Sequence, residues 1–415
     1  MKYFKAVVLI LTAVALTVGI IGKFFITDEE KDDVLADAPD TEAGDYSRFA
    51  TGSPLFSENE ILISAKSVIL CTDGGMLLYE KQADVPLPMA SITKVMTAIV
   101  ALEELRAGEV DIAEKLRQEV SVSERAVGVE GSSVYLRAGE KVSYEMLLYS
   151  LMLESANDAA TAIAYAVAGS EEAFVELMNK KAQALCMDST VFKNPHGLSA
   201  DGHYTTARNY ARLMSYALND QLFTEMIGTK KKVYRSEDGA YTRVLTNHNR
   251  LLSSYKNIIG GKTGFTKLSG RTLVTAAEKD GTRLICVTIN APDDWNDHTK
   301  LFEKGFEVLK TVTLTPSDCS FSVPTACGSE AETLIGLKKE IRLTVNKDTE
   351  VSLRYFCPNI LFAPVLEGKA VGRLEIYAGN EKIQEAALYV QKGVSGVKQE
   401  RKALFERLTE LLAHR

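Results

Sequence analysis

Pro86-Leu87-Pro88-Met89-Ala90-Ser91-Ile92-Thr93-Lys94-Val95-Met96-Thr97-Ala98-Ile99-Val100 is the stretch on which the reading of this chain turns. A Pro-rich loop runs into an apolar helical segment reaching Leu105, and Ser91 and Lys94 stand three apart at the junction. Residues so spaced share a helix face, about 5 to 6 Å apart at Cβ, so the Lys94 amine can reach the Ser91 hydroxyl. At a helix start the unpaired N–H groups and the positive dipole end favour an oxyanion and disfavour an ammonium, which pushes Lys94 towards a neutral base. Alone, the tetrad is equally the pattern of an N-cap serine followed by a solvated lysine.

Working outward, Ser155-Ala156-Asn157-Asp158 interrupts two helical runs. The first, Tyr144 to Leu153, has Ser143 as N-cap; the second, Asp158 to Val167, is alanine-rich. Ser155 and Asn157 therefore sit on a short connection that can point side chains into a cleft, although the same residues also suit a plain helix break. Farther on, Gly260-Gly261-Lys262-Thr263-Gly264-Phe265-Thr266 precedes two β-like runs, Arg271–Ala277 and Thr282–Asn290, joined by Lys279-Asp280-Gly281. A lysine and a threonine at a sheet edge, beside glycines that leave the backbone open, suit a carboxylate on an extended peptide. A phosphate-binding loop is excluded, because the G-x-x-x-x-G-K-[ST] spacing fails and no helix follows.

Each motif is weak alone, but the order S-x-x-K, S-x-N, K-T-G is specific. It resembles that of the penicillin-recognising serine acyl-transferases. The segments Gly131-Ser132-Ser133-Val134-Tyr135-Leu136, Ser155 to Ala160, Phe192-Lys193-Asn194-Pro195-His196-Gly197-Leu198 and His203-Tyr204-Thr205-Thr206-Ala207-Arg208 narrow it. They are similar to those of the low-molecular-mass penicillin-binding proteins that are D-alanyl-D-alanine carboxypeptidases. The likeness covers about Glu58 to Val312 and, more weakly, Thr313 to Gln391. Two positions depart from the family pattern, Ala156 where glycine is common and Gly260 where aspartate often stands.

The resemblance implies a two-lobed α+β catalytic domain, an antiparallel sheet with helices on both faces plus a helical lobe, followed by a small all-β domain. It implies that Ser91 attacks the bond between the terminal D-alanines of a peptidoglycan stem peptide, with Lys94 taking its proton. Ser155 would relay a proton to the leaving amine, and Asn157 would position the substrate amide and the lysine. Lys262 and Thr263 would hold the terminal carboxylate, with Arg283 as a third contact. Gly264 leads to Phe265, whose N–H and that of Ser91 would form the oxyanion hole, each donor worth about 2.7 to 4 kcal/mol in the transition state. β-Lactams would acylate the same serine. No cofactor or metal is implied.

Other chemistries are poorly matched. The five histidines form no H-x-H or H-E-x-x-H pair. His196 lies among turn residues and reads as structural. A class A β-lactamase shares the three motifs but deacylates with an E-x-x-L-N glutamate; the nearest string, Glu176-Leu177-Met178-Asn179, is one residue short and lies in an amphipathic helical run from Glu171 to Leu185. A catalytically silent peptidoglycan binder or penicillin sensor is the other alternative, against which all six polar motif residues stand intact. A net charge of -7 gives no support for nucleic-acid binding.

Residues 1–27 read as an export signal or membrane anchor, basic at Lys2 and Lys5 and uncharged from Ala6 to Gly22. Residues 28–57 read as an acidic linker, 58–312 as the carboxypeptidase domain, and 313–391 as a small β-sandwich. Residues 392–415 read as an amphipathic helix, for which the resemblance implies the outer face of the cytoplasmic membrane. The protein is thus expected to work outside the cytoplasm. Among the six cysteines, Cys71 and Cys286 read as buried thiols, while Cys319 and Cys327 flank Ser320 to Ala326 and could bridge a local hairpin.

Overall fold

The computed structural model describes residues 48–107, 110–235 and 241–397. The export segment, most of the acidic linker and all of the tail beyond Val397 lie outside these residues. Among the described residues no helix is long and apolar enough to cross a membrane.

The catalytic unit is built on a sheet whose strands are β1 (Ser67–Thr72), β2 (Leu77–Lys81), β7 (Ile258–Thr266), β8 (Gly270–Lys279) and β9 (Thr282–Ile289), in the order β2-β1-β9-β8-β7 and antiparallel throughout. Alternate residues of β1 and β9 enter two different cores. Ile69, Cys71, Ile285 and Val287 face the helical lobe, whereas Val68, Leu70, Leu284 and Cys286 face the opposite side. Because both faces are covered, these strands read as nearly unbroken apolar runs rather than as alternating ones.

The helical lobe is inserted between β2 and β7. Its axis is α1 (Lys94–Arg106), whose residues are buried from Lys94 through Leu102, as expected for a helix apolar all round. Around it lie α2 (Ile112–Arg117), α3 (Tyr144–Leu153), α4 (Asn157–Ala168), α5 (Glu171–Ala184), α6 (Ala207–Ala217) and α7 (Gln221–Gly228), with two small hairpins, β3 (Glu119–Ser121) with β4 (Lys141–Ser143) and β5 (Lys231–Arg235) with β6 (Thr242–Thr246). Ser143 caps α3 by accepting from the Met146 N–H at 3.2 Å. A single turn, α8 (Leu251–Ser254), leads into β7. The helix α6 packs on one face of the sheet and α9 (Asp294–Val308) on the other.

Two expected boundaries move. Phe49, Ala50 and Phe56 are buried, and the Leu55 and Phe56 N–H groups bond to the Leu78 carbonyl, so residues 48–57 belong to the folded unit rather than to the linker. The boundary expected between Val312 and Thr313 falls inside β10 (Leu309–Leu314), which pairs with β13 (Ile341–Asn346). The remaining strands, β11 (Phe321–Ala326), β12 (Glu332–Gly336), β14 (Val351–Phe356), β15 (Leu361–Phe362), β16 (Ala370–Ala378) and β17 (Glu381–Val390), form one six-stranded sheet with its own apolar clusters. All six cysteines are free thiols; Cys319 is buried and Cys327 exposed, so they form no bridge.

Candidate active site

Ser91 lies in a 3-10 turn, Ala90–Thr93, immediately before α1, and the turn packs against β7 and β8. Ala90 is left-handed at φ 51°, a conformation that costs a non-glycine residue about 1 to 3 kcal/mol and persists only where its surroundings enforce it. They do so here. The Lys193 N–H donates to His203 Nδ1, which leaves the proton on Nε2. That nitrogen lies 2.9 Å from Thr93 Oγ, which in turn donates to the Ala90 carbonyl at 2.7 Å. The Tyr210 hydroxyl donates to the Ile92 carbonyl, and Thr272 Oγ to that of Met89.

Two glycines let backbone close on this turn. A Cβ on Gly197 (φ +90°) would lie 2.1 Å from the Ala90 carbonyl oxygen, and one on Gly264 would lie 2.9 Å from the Ser91 nitrogen. Any larger residue at either place would push the nucleophile's backbone aside.

Lys94 is fully buried, and its Nζ makes three contacts: Ser91 Oγ at 3.0 Å, Asn157 Oδ1 at 2.7 Å and the His196 carbonyl. A neutral amine has two hydrogens and one lone pair. The two carbonyl oxygens accept both hydrogens, and the lone pair is left facing the Ser91 hydroxyl. Burial, reinforced by the nearby Lys262, holds the Lys94 amine well below the ordinary lysine range, although Asp158 pulls the other way. Lys262 is also buried, donates to the Thr263 carbonyl at 2.9 Å, and is brought down to about 7 by desolvation.

Asn157 opens α4. Its Nδ2 donates to the Glu130 carbonyl, which fixes the amide so that Oδ1 faces Lys94, and its backbone N–H donates to Ser132 at 2.7 Å. Ser155, buried and left-handed at φ 58°, lines the cleft beside Ser132. Ala156 fills apolar core, consistent with a methyl at this position.

Sequence reasoning missed two contributors. Asp158 accepts from Ser133 Oγ at 2.6 Å and from the Val134 and Leu136 N–H groups, pinning the loop that carries Ser132; its signal was its place directly after Asn157. His196 acts through its backbone carbonyl. Burial and the neighbouring Lys94 depress its imidazole to about 3, so the ring is neutral, and its Nδ1 accepts from the Leu198 N–H.

The cleft, a cavity of about 350 Å³, is lined by Ser91, Ser132, Ser155, Thr263, Gly264 and Phe265, and also by His248, Arg250, Arg271, Asp294 and Trp295. Since β7 is an edge strand, its outer backbone is open to an added strand.

Arg283 is not in this cleft. It pairs in register with Glu278 and is bonded to that carboxylate at 3.2 Å, with Asp73 at 3.9 Å. Glu278 lies five residues along β8 from Leu273, the partner of Thr263, which is about 17 Å at the rise of a strand. The expectation of a third carboxylate contact at Arg283 is therefore corrected. The arginines at the cleft are Arg271, held by the buried Asp294 at 2.7 Å, and Arg250, which has no carboxylate within ion-pair distance among the described residues.

Glu176 is exposed on α5, and Asn179 caps the following loop by bonding the Phe192 backbone in both directions. Asp294 is thus the one carboxylate among the cleft's described lining residues. Among the described residues, no three His, Cys, Asp or Glu side chains converge as a metal site requires.

The family model for D-alanyl-D-alanine carboxypeptidases matches residues 55–293, more than half of the chain. The chain belongs to the D-alanyl-D-alanine carboxypeptidase family. The model of the penicillin-binding protein 5 C-terminal domain matches residues 297–395. Relatives include the D-alanyl-D-alanine carboxypeptidase DacF of Bacillus subtilis, 31% identical with 79% of this chain and 85% of the relative covered, and DacC of Escherichia coli, 32% identical with 77% and 81% covered. Among solved structures, penicillin-binding protein 5 of Haemophilus influenzae aligns with a TM-score of 0.62 at 27% identity, covering 81% of this chain and 98% of that one. The family membership and the two-lobed fold with its all-β C-terminal domain accord with the resemblance read from the motifs.

Proposed function

We propose that this family member is a serine D-Ala-D-Ala carboxypeptidase that trims the terminal D-alanine from peptidoglycan stem peptides, with Ser91 as nucleophile and Lys94 as base. The observation that carries the proposal is the Lys94 amine, dry, with both hydrogens engaged by carbonyls and its lone pair 3.0 Å from Ser91 Oγ.

Ser91 gives its proton to Lys94 as it attacks the carbonyl of the penultimate D-alanine. The oxyanion forms between the N–H groups of Ser91 and Phe265. Lys94 returns that proton through Ser155 to the departing amine, D-alanine leaves, and water enters against the acyl-enzyme with Lys94 again the neutral base. Lys262, Thr263 and Arg250 hold the substrate carboxylate. β-Lactams enter the same cleft as covalent inhibitors. With Asp294 engaged by Arg271, the lining offers no free carboxylate for rapid deacylation, which favours slow turnover of a penicilloyl-enzyme over the lactamase reading.

Residues 1–27 as an export signal or anchor, the acidic segment after them, and residues 392–415 on the outer membrane face complete the proposal. A form ending near Gln391 that stays on membranes after signal removal would remove the tail from it. The central test is attachment of labelled penicillin with peptide mapping, together with D-alanine release from a pentapeptide, in wild type and Ser91→Ala. The expected result is label on the peptide containing Ser91 and release by wild type alone. Rapid multi-turnover penicillin hydrolysis supports the lactamase, and failure to label supports the silent binder.

A further inference from the structure

The β-rich domain ends in an uncharged tip. The ten residues from Cys357 to Leu366 include no Asp, Glu, Lys or Arg, and three of them face solvent: Phe362 is 73% exposed, Leu366 69%, and Ile360 half-exposed. Lack of a core is not the cause. Leu361 and Val365 fill the apolar cluster of Val323, Ile335 and Val390, so Phe362 and Leu366, which follow them, are turned outward. Exposed apolar side chains scattered singly are ordinary on a protein surface, whereas a gathered set marks a contact.

Backbone pairing gathers this set. Phe362 pairs with Ala326 at the end of β11, and the Ala363 N–H donates to the Ala326 carbonyl at 3.0 Å. Val365 and Val394 exchange hydrogen bonds at 2.9 Å, and the Val397 N–H donates to the Cys327 carbonyl, also at 2.9 Å. Half-exposed Val397 and the exposed Cys327 therefore share the end of β11 with Phe362. The apolar clusters run in series. Leu309 packs in the core of the catalytic unit, Leu314 in the first cluster of the β domain, Leu361 and Val365 in the second, and the tip lies on the outside of that second cluster.

The path of the chain says what lies against the tip. Lys398, the first residue of the amphipathic stretch, is one step of about 3.8 Å beyond Val397. If that stretch lies on a membrane surface, the tip is held against the same surface. A bilayer interface takes up separate apolar and aromatic side chains without shape complementarity. A second copy of the chain needs more: a stable protein interface engages about 20 to 30 residues a side, and the tip offers only Ile360, Phe362, Leu366 and Val397 as large exposed apolar side chains.

We propose that the tip is a folded membrane contact distinct from the tail: Ile360, Phe362, Leu366 and Val397 enter the boundary between headgroups and acyl chains. The proposal rests on the membrane-face reading of the tail above and adds a second point of attachment. A tail alone leaves the β domain free to swivel about the link between Val397 and Lys398. Two contacts fix how the domain stands on the bilayer, and with it the direction in which the catalytic unit is carried.

The test uses the full chain on vesicles of phosphatidylethanolamine and phosphatidylglycerol, with an environment-sensitive dye on the exposed Cys327 thiol and Cys327→Ser as the blank. Lipids brominated near the headgroup end of the acyl chain are expected to quench the dye. Phe362→Ser combined with Leu366→Ser is expected to cut that quenching about tenfold, the lower end for withdrawing two large apolar side chains from an apolar medium, while Phe362→Leu keeps it. D-alanine release from a soluble pentapeptide and penicillin labelling should be unchanged in every variant, which reports that they fold. A chain bound to vesicles with its dye unquenched, or quenched equally in the double variant, overturns the tip alone. So does a dye already shielded without vesicles, which places the tail on the tip, or a cross-link between the Cys327 thiols of two copies in detergent, which places a second copy there. A chain that leaves the vesicles altogether overturns the membrane reading of the tail and the tip with it.

Discussion

The two walls of the cleft are built in opposite ways. On the helical wall every polar partner of Lys94 is already in place: Asn157 is fixed by Glu130, the His196 carbonyl by the loop that Asn194 ties at Gly197 and Leu198, and the Ala90 turn by Thr93 and His203. On the sheet wall Arg250 has no acid partner among the described residues, Phe265 is 65% exposed, and β7 is the edge strand. One wall is organised for proton transfer before any substrate arrives; the other keeps its hydrogen-bonding capacity for the substrate. Changes on the first should therefore act on the acylation rate with any substrate, and changes on the second on the affinity for a peptide bearing a carboxylate.

The largest expected effect is at Lys94. Lys94→Ala removes the base and should slow acylation by labelled penicillin about 10²- to 10⁴-fold, with Ser91 still present to report residual labelling.

Next comes Asn157→Asp, which sets a carboxylate against the Lys94 amine and favours its charged form. In wild type the neutral amine is lost as pH falls through the depressed pKa of Lys94, so acylation should fall on the acid side. In Asn157→Asp that acid limb should move to higher pH, which a pH profile of the acylation rate will show. An unshifted limb would mean that Lys94 is not the group titrating.

Lys262, buried on the sheet wall, tests the cost of keeping an amine dry. Its pKa in the native state, about 7, lies below the ordinary lysine value of 10.5. The unfolded chain therefore binds more protons between those values, and the group's burden on stability is full below the lower one and fades as pH rises towards the upper. Lys262→Met should lose activity yet raise the thermal midpoint at pH 7 by a few degrees, corresponding to about 1 to 2 kcal/mol.

On the open wall, Arg250→Ala should raise KM for a pentapeptide about tenfold while changing the penicillin acylation rate less. The smallest expected effect is at Arg283→Ala, at the start of β9 and paired with Glu278 near the surface. Activity and stability should both stay within about 0.5 kcal/mol of wild type.

Much of this wall was legible in the sequence because side-chain chemistry at fixed helical spacing carries its own geometry: Ser91 and Lys94 meet as the three-residue interval demands. The hairpin turn at Lys279-Asp280-Gly281 and the helix after Ser143 were likewise written in turn and cap residues. What stayed hidden was of two kinds. The His196 contact is a carbonyl, which every residue possesses, so no letter marks it. Arg283 was misread because residue type and strand were right but position along the strand was not; only the register of β8 against β7 and β9 shows which end of a strand a side chain occupies. Asp158 fell between these cases, visible as a letter but with its three partners on a loop whose path sequence could not give.

Trp295 is the chain's only tryptophan, and it lines the cleft with the Arg271 guanidinium 5.4 Å from its ring. The protein's entire indole emission therefore originates at the wall of the cleft, and whatever displaces water or moves that guanidinium changes it. Arrival of a ligand, formation of the acyl-enzyme and release of product can be followed by stopped-flow fluorescence on the unmodified chain.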